Sequence, residues 1–182
     1  MALGAAFSNQ GLAKFYSALA LAKSVCESDP TVPSAPDVKY ETELAEAWKQ
    51  IEASLNDDFG TPAAFAAVFE VIRKFNSRVR RGMKLTPTVK NQCEQFISFM
   101  KRFGLILSLF QEDPETFLYA LDNKLLLKLG HSRELIDQLV AERAKAREAK
   151  DFAKADEFRK KLTEMQIAVS DTPQGSFWEV AK

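Results

Sequence analysis

Apolar residues recur at three- and four-residue spacing along most of this chain, the period that lines one face of an α-helix. Leu12, Phe15, Tyr16 and Leu19 predict a helix over residues 10–26, and Leu44, Ala47, Trp48 and Ile51 a second over 38–55. Between them, "ESDPTVPSAPD" is too rich in Pro, Ser and Asp for either regular element and reads as a surface linker. Phe65, Val68, Phe69, Ile72 and Phe75 form a wide stripe behind Thr61, a good N-cap, and Pro62, whose missing N–H costs nothing at a first helical position. Gly82 is expected to end that helix. Thr86 and Pro87 repeat the device ahead of Val89, Cys93, Phe96, Met100, Phe103 and Leu107, and Asp113-Pro114 opens a short helix through Leu121.

After Gly130 the texture changes. Ser132 caps a helix carrying Leu135, Ile136, Leu139 and Val140; the pattern breaks near Lys150 and restarts at Asp151, with Phe152, Ala155, Phe158 and Leu162 expected to face inward. "IAVSDTPQGSFWEV" then alternates with period two around a Pro-Gln-Gly turn and predicts two short strands. The expected fold is mainly α. An antiparallel helical bundle over 1–125 precedes a small α+β appendage over 126–182 that ends in a short β-hairpin, with the boundary near 122–131.

At 182 residues and 46% hydrophobic, the chain can bury one core plus a small appendage. Its formal net charge is zero, so nothing global argues for a nucleic-acid or membrane partner. The average hides an asymmetry. Residues 1–60 carry four Lys/Arg against nine Asp/Glu, whereas residues 73–102 carry nine basic side chains against Glu94 alone. Cys26 and Cys93 have no second thiol or histidine at metal-ligand spacing, and they read as reduced cysteines of a cytoplasmic protein. No apolar run reaches the length of a membrane span.

Enzyme chemistry lacks its parts. No Gly-rich phosphate loop, paired nucleophile and base, or metal cluster stands in the sequence, so neither a catalytic residue nor a metal ligand is assigned. His131 sits just outside a helix cap, and Asp57-Asp58 precedes a Thr-Pro helix start where acids serve turn and dipole chemistry. Binding chemistry is better supplied. Arg78, Arg80, Arg81 and Lys84 span a helix end and a turn with no compensating acids, so they form either a phosphate patch or a solvated face. Arg143, Arg147, Lys150 and Arg159 are interleaved with acids, but they precede a hairpin that holds Asp171, Gln174, Gly175 and Trp178 within eight residues. Unpaired RNA bases are held by aromatic stacking and by acids, amides and arginines at their edges. Trp178 suits such a platform or a place in the core.

The stretch "LNDDFGTPAAFAAVFEVIRKFN" resembles the helical-bundle motif D-D-D-F-N/G-T-P-x-A of cysteinyl-tRNA synthetases, class I enzymes, and "GLAKFYSAL" resembles the helix before it. "LVAERAKAREAKDFAKADEFRKKLTEMQIAVSDTPQGSFW" is similar to that family's C-terminal segment, R-x-x-A-R-x-x-K-D-[FW]-x-x-A-D-x-[IF]-R-x-x-L followed by a strand and D-x-P-x-G-[ST]-x-W. The resemblance implies a bundle that packs on the tRNA stem and an appendage that reads the cysteine anticodon. It makes Arg143, Arg147, Lys150, Arg159, Asp171, Gln174, Gly175 and Trp178 anticodon-side candidates. It also implies a cytoplasmic monomer partnered by tRNA for cysteine and lacking the N-terminal catalytic domain. The opening "MALGAAFSN" looks like a cut or cloned end. The family's H-I-G-H and K-M-S-K-S signatures and zinc ligands are absent from this sequence, so ATP use and zinc belong to a full-length parent and no cofactor to this chain. A free-standing RNA-binding protein and a helical interaction module without RNA binding are the alternatives. The purified 182-residue chain is expected to give no cysteine-dependent exchange of pyrophosphate with ATP; detectable exchange would contradict an appendage role.

Overall fold

Helix starts along the bundle are set by local chemistry. The structure, a computed structural model, describes residues 9–172 and 175–181. After α1 (Asn9–Cys26), the Asp37 carboxylate accepts the Tyr40 N–H at 3.1 Å and opens α2 (Val38–Asn56). The Thr86 hydroxyl accepts the Val89 N–H at 3.3 Å and opens α4 (Pro87–Leu107), with Pro87 at its first position. In α3 (Thr61–Arg78) the expectation of a Thr61 cap fails, because Gly60 is the N-cap and Thr61 is already helical. Asp58 and Phe59 both adopt left-handed backbone (φ 49° and 54°), and the turn is so tight that a Cβ on Gly60 would lie 2.7 Å from the Ser54 carbonyl oxygen. Only glycine fits there. The same helix ends at Arg78, ahead of the predicted Gly82. Val79 is extended (φ −113°, ψ 129°) and only 1% exposed, so burying its side chain draws the backbone out of the helix.

The bundle core is aromatic. α1 packs on α4 and α2 on α3, and Phe15, Tyr40, Phe75, Phe96, Met100 and Phe103 are each buried almost completely. Phe75 and Phe96 stack with ring centroids 4.1 Å apart, while Phe65 meets Phe103 edge-on at 5.3 Å. Both cysteines are free, and burial pushes the Cys93 thiol up to about 12.

The chain divides into two units between Phe117 and Leu118, inside α5 (Pro114–Leu129), rather than near residues 122–131. The helix expected to stop at Leu121 continues because the polar pair after it has tertiary partners. Asp122 is 6% exposed and accepts the Val180 N–H at 3.4 Å; Asn123 Oδ1 accepts from Arg133 Nε at 2.7 Å. In the second unit α6 (Arg133–Glu148) and α7 (Phe152–Glu164) lean on a two-stranded antiparallel sheet, β1 (Ile167–Thr172) and β2 (Gly175–Val180). Its register pairs Ile167 with Val180, Val169 with Trp178 and Asp171 with Ser176. Leu126, Ile136, Leu139, Val140, Leu162, Ile167 and Val180 form a separate small core. The mainly α architecture with a terminal hairpin is therefore as expected. Among the described residues, no helix is long and apolar enough to cross a membrane.

Gly104 is buried in α4, where a Cβ would lie 2.6 Å from the Leu109 carbonyl oxygen and 3.0 Å from the Phe110 ring. Alanine gains about 1 kcal/mol of helix preference over glycine. The clash outweighs it: Gly104→Ala is expected to lower stability by about 1–3 kcal/mol in denaturant melts. A raised midpoint would show that the segment after α4 yields freely.

Candidate nucleic-acid interface

The appendage holds a positively charged cleft whose walls are built by two helix caps and one ion pair. The Ser132 hydroxyl accepts the Leu135 N–H at 3.2 Å and starts α6, which runs until Ala149. Lys150 then takes a left-handed backbone (φ 58°) and reverses the chain, so that Asp151 caps α7 through the Lys154 N–H at 3.1 Å. Lys150 is exposed and shapes this turn.

Arg143 falls on the buried face of α6 and is 6% exposed. A lone guanidinium there would be prohibitive, and Asp171 on β1 meets it with a two-pronged fork: Nη1 donates to Oδ1 at 2.8 Å and Nη2 to Oδ2 at 2.9 Å. One turn along α6, Arg147 Nη1 donates to the same Oδ2, and across the hairpin Ser176 Oγ donates to Oδ1 at 2.8 Å. A carboxylate has about four acceptor sites, and all four are taken. Asp171 was expected to read a base edge; it is instead the clamp that orients two arginines. Arg143 Nε, also buried, has no partner among the described residues.

Beside this clamp lies a cleft of about 330 Å³, walled by Arg147, Phe152, Asp156, Arg159 and Val169 together with the Arg143–Asp171 pair. Arg147, Asp156 and Arg159 are exposed. Phe152 was expected to face inward with Ala155, Phe158 and Leu162. It is 65% exposed, whereas Ala155 and Leu162 are buried. As the first residue of α7 it has only the reversing turn behind it, so no core lies within its reach.

Trp178 lies on the sheet's inner face opposite Val169, one inner-face pair along from the clamp. Its indole N–H donates to Asp137 Oδ1 at 2.7 Å, the Arg133 guanidinium lies 4.5 Å from its ring, and it packs half-buried on the small core. Of the two places expected for this ring, platform or core, the packing favours the core. Gly175 is exposed with φ 132°, an angle that L side chains rarely adopt, yet a Cβ there would touch nothing within 4 Å. Its backbone angle, not close approach, calls for glycine. Gln174 lies outside the described residues.

The candidate phosphate patch separates into two kinds of residue. Arg78 is half-buried, donates through Nη2 to both Glu43 oxygens at 2.8 Å, and lies over the Tyr40 ring at 5.2 Å. It fastens α3 to α2 and is not presented to a phosphate. Arg80, Arg81 and Lys84 are exposed on the turn between α3 and α4. Among the described residues, no three His, Cys, Asp or Glu side chains gather as a metal site. Sequence reasoning missed Phe152, Asp156, Ser176 and Asp137. The signal available for Phe152 was its place directly after the Asp151 cap.

Comparison with known proteins follows these two units. Residues 50–111 match the DALR domain model, and residues 133–178 match the cysteinyl-tRNA ligase anticodon binding domain. A cysteine–tRNA ligase of Bdellovibrio bacteriovorus is 50% identical over 172 residues, covering 94% of this chain and 35% of that protein. Those of Trichlorobacter lovleyi and Maridesulfovibrio salexigens are 31% and 30% identical over 93% and 94% of the chain. The chain spans 35–36% of the length of these relatives.

Removing the Asp171 carboxylate leaves a buried guanidinium unpaired, a change that costs about 3–5 kcal/mol in a fully buried pair; with Asp171 36% exposed, Asp171→Ala is expected to cost about 2–3 kcal/mol. Trp178→Ala, which strips a half-buried ring, is expected to cost about 2 kcal/mol. Thermal melts followed by circular dichroism test both, and wild-type midpoints would return the two residues to the surface.

Proposed function

The chain belongs to the cysteinyl-tRNA ligase family, corresponding to the C-terminal part of its members, and on that premise we propose that it is the tRNA-binding portion of such an enzyme. Its bundle docks the tRNA stem and its appendage reads the cysteine anticodon. It acts in the cytoplasm as a monomeric module, and amino-acid activation, ATP use and zinc belong to the catalytic domain of a full-length enzyme.

The observation that carries this proposal is the cleft. An exposed ring, Phe152, stands among the guanidinium groups of Arg147 and Arg159, and Asp156 adds an exposed carboxylate. Stacking on Phe152 holds an unpaired base, arginine N–H groups meet base carbonyls, ring nitrogens or phosphates, and Asp156 accepts from base amino groups. A guanine edge with N1–H and N2–H₂, or a cytosine amino group, suits that carboxylate. The anticodon GCA offers both. Arg80, Arg81 and Lys84 supply sequence-independent attraction to the backbone of the stem.

Phe152→Ala is expected to weaken binding of the anticodon stem-loop about 5- to 150-fold, the range of one stacked base, with the melting temperature unchanged. The triple change of Arg80, Arg81 and Lys84 to Ala should weaken all tRNAs alike and flatten the log–log salt dependence by about 0.7–0.9 for each phosphate no longer neutralised. Titrations at several salt concentrations read both. Binding untouched by Phe152→Ala removes the base from the cleft, and no RNA binding by the wild-type chain leaves only the helical interaction module.

A further inference from the structure

The cleft has a neighbour across Val169. A second hollow of about 290 Å³ lies beside it between α7 and β1, walled by Thr163, Gln166, Ile167, Ala168 and Ala181 and sharing Arg159 and Val169 with the first. None of its walls is needed by the Arg143–Asp171 clamp. Its surface is largely apolar: Ile167 and Val169 belong to the small core, and the Thr163 hydroxyl is spent inside the helix, donating to the Arg159 carbonyl at 2.9 Å.

The floor of this hollow is an unpaired strand edge. The Val180 N–H turns away from β1 to reach Asp122, while the Ala181 N–H donates to the Gln166 carbonyl at 2.7 Å. In an antiparallel pair the two kinds of residue alternate, so the pairs Ile167–Val180 and Val169–Trp178 are those whose main-chain groups point outward. Val169 therefore offers an N–H and a C=O side by side on the free edge of a sheet that has, among the described residues, no third strand. Natural edges are usually blocked by Lys, Pro or inward charges; "IAVSDT" has no Lys, Arg or Pro, and its one inward charge, Asp171, is taken up by Arg143 at the far end of the strand. An adjacent donor and acceptor match the edge of a nucleobase, where an amino or imino hydrogen stands beside a ring nitrogen or carbonyl.

We propose that this second hollow is a nucleoside subsite for the residue adjacent, in the same single strand, to the base stacked on Phe152, and that the base is held by the apolar walls and read by the main chain of Val169. The proposal rests on the RNA-binding function above. Continuity selects this occupant over a peptide strand. The two hollows meet at Val169, successive outward residues advance about 6.6 Å along a strand, and Arg159 stands at the shared rim to meet the phosphate that joins two nucleotides.

The test uses the anticodon stem-loop with one abasic position at a time around the loop, titrated against the wild-type chain, Phe152→Ala and Ala181→Trp. Ala181 is exposed, so the introduced ring fills the second hollow without entering the core, and an unchanged melt checks this. The wild-type chain should lose about fivefold or more at each of two neighbouring loop positions, the lower end of one base's stacking. Phe152→Ala should erase the loss at one of them and Ala181→Trp the loss at its neighbour. If Ala181→Trp responds to every abasic loop as wild type does while Phe152→Ala does not, the second subsite is overturned and the first stands. If the wild-type chain binds no stem-loop, the RNA-binding function falls and the subsite with it.

Discussion

A buried guanidinium organises the appendage. Arg143 lies on the core side of α6, where an unpaired charge would be far costlier than any packing gain nearby, so β1 must bring Asp171 to it. This requirement reaches further than the pair itself. Side chains alternate along a strand, so a slip of one residue in β1 would send Asp171 to the outer face together with Ile167 and Val169. The ion pair and the apolar alternation thus demand the same register. The position of β1 beside α7 follows from it, and so does the cleft.

Asp171 gives up its own capacity for recognition in this arrangement. With its oxygens filled by Arg143, Arg147 and Ser176, it serves by holding guanidinium groups at the cleft's rim, while Asp156, one turn into α7, keeps an exposed carboxylate. A site assembled in this way presents prepositioned donors and one free acceptor. The aromatic residues divide similarly. Trp178 has a polar N–H that Asp137 can bind, and its large ring covers part of the small core. Phe152, with no polar atom to anchor, stands open at the start of α7.

In the bundle, the separation of acidic and basic segments is partly an internal matter. Arg78 reaches back to Glu43, and Arg102 stacks on Trp48 at 3.6 Å while its Nη2 meets Glu52 at 3.3 Å. These links join the basic third of the chain to its acidic first third. The exposed links among them contribute little stability in water. The turn bearing Arg80, Arg81 and Lys84, at the end of α3 away from the tight Asp58–Phe59 turn, is where the basic segment is exposed.

Local patterning by itself determined the type and order of the described elements. A 3.6-residue apolar period, Pro at first helical positions, Ser132 and Asp151 as caps and a period-two tail each act over a few residues, and each is legible without knowledge of distant contacts. The motif from Arg143 to Trp178 likewise holds, in residue order alone, the side chains that wall the candidate cleft. The tertiary structure decided what distant partners decide. α5 runs through Asp122 because Val180 supplies an amide 58 residues away, and α3 stops at Arg78 because Val79 is drawn into the core. Arg78 was a phosphate ligand by charge and a strut by geometry; Asp171 was a reader by chemistry and a clamp by occupancy. Residue type states what a side chain can bond. Which of those bonds remain open to a ligand depends on neighbours that only folding brings within about 3 Å, and that is not a property of the local sequence.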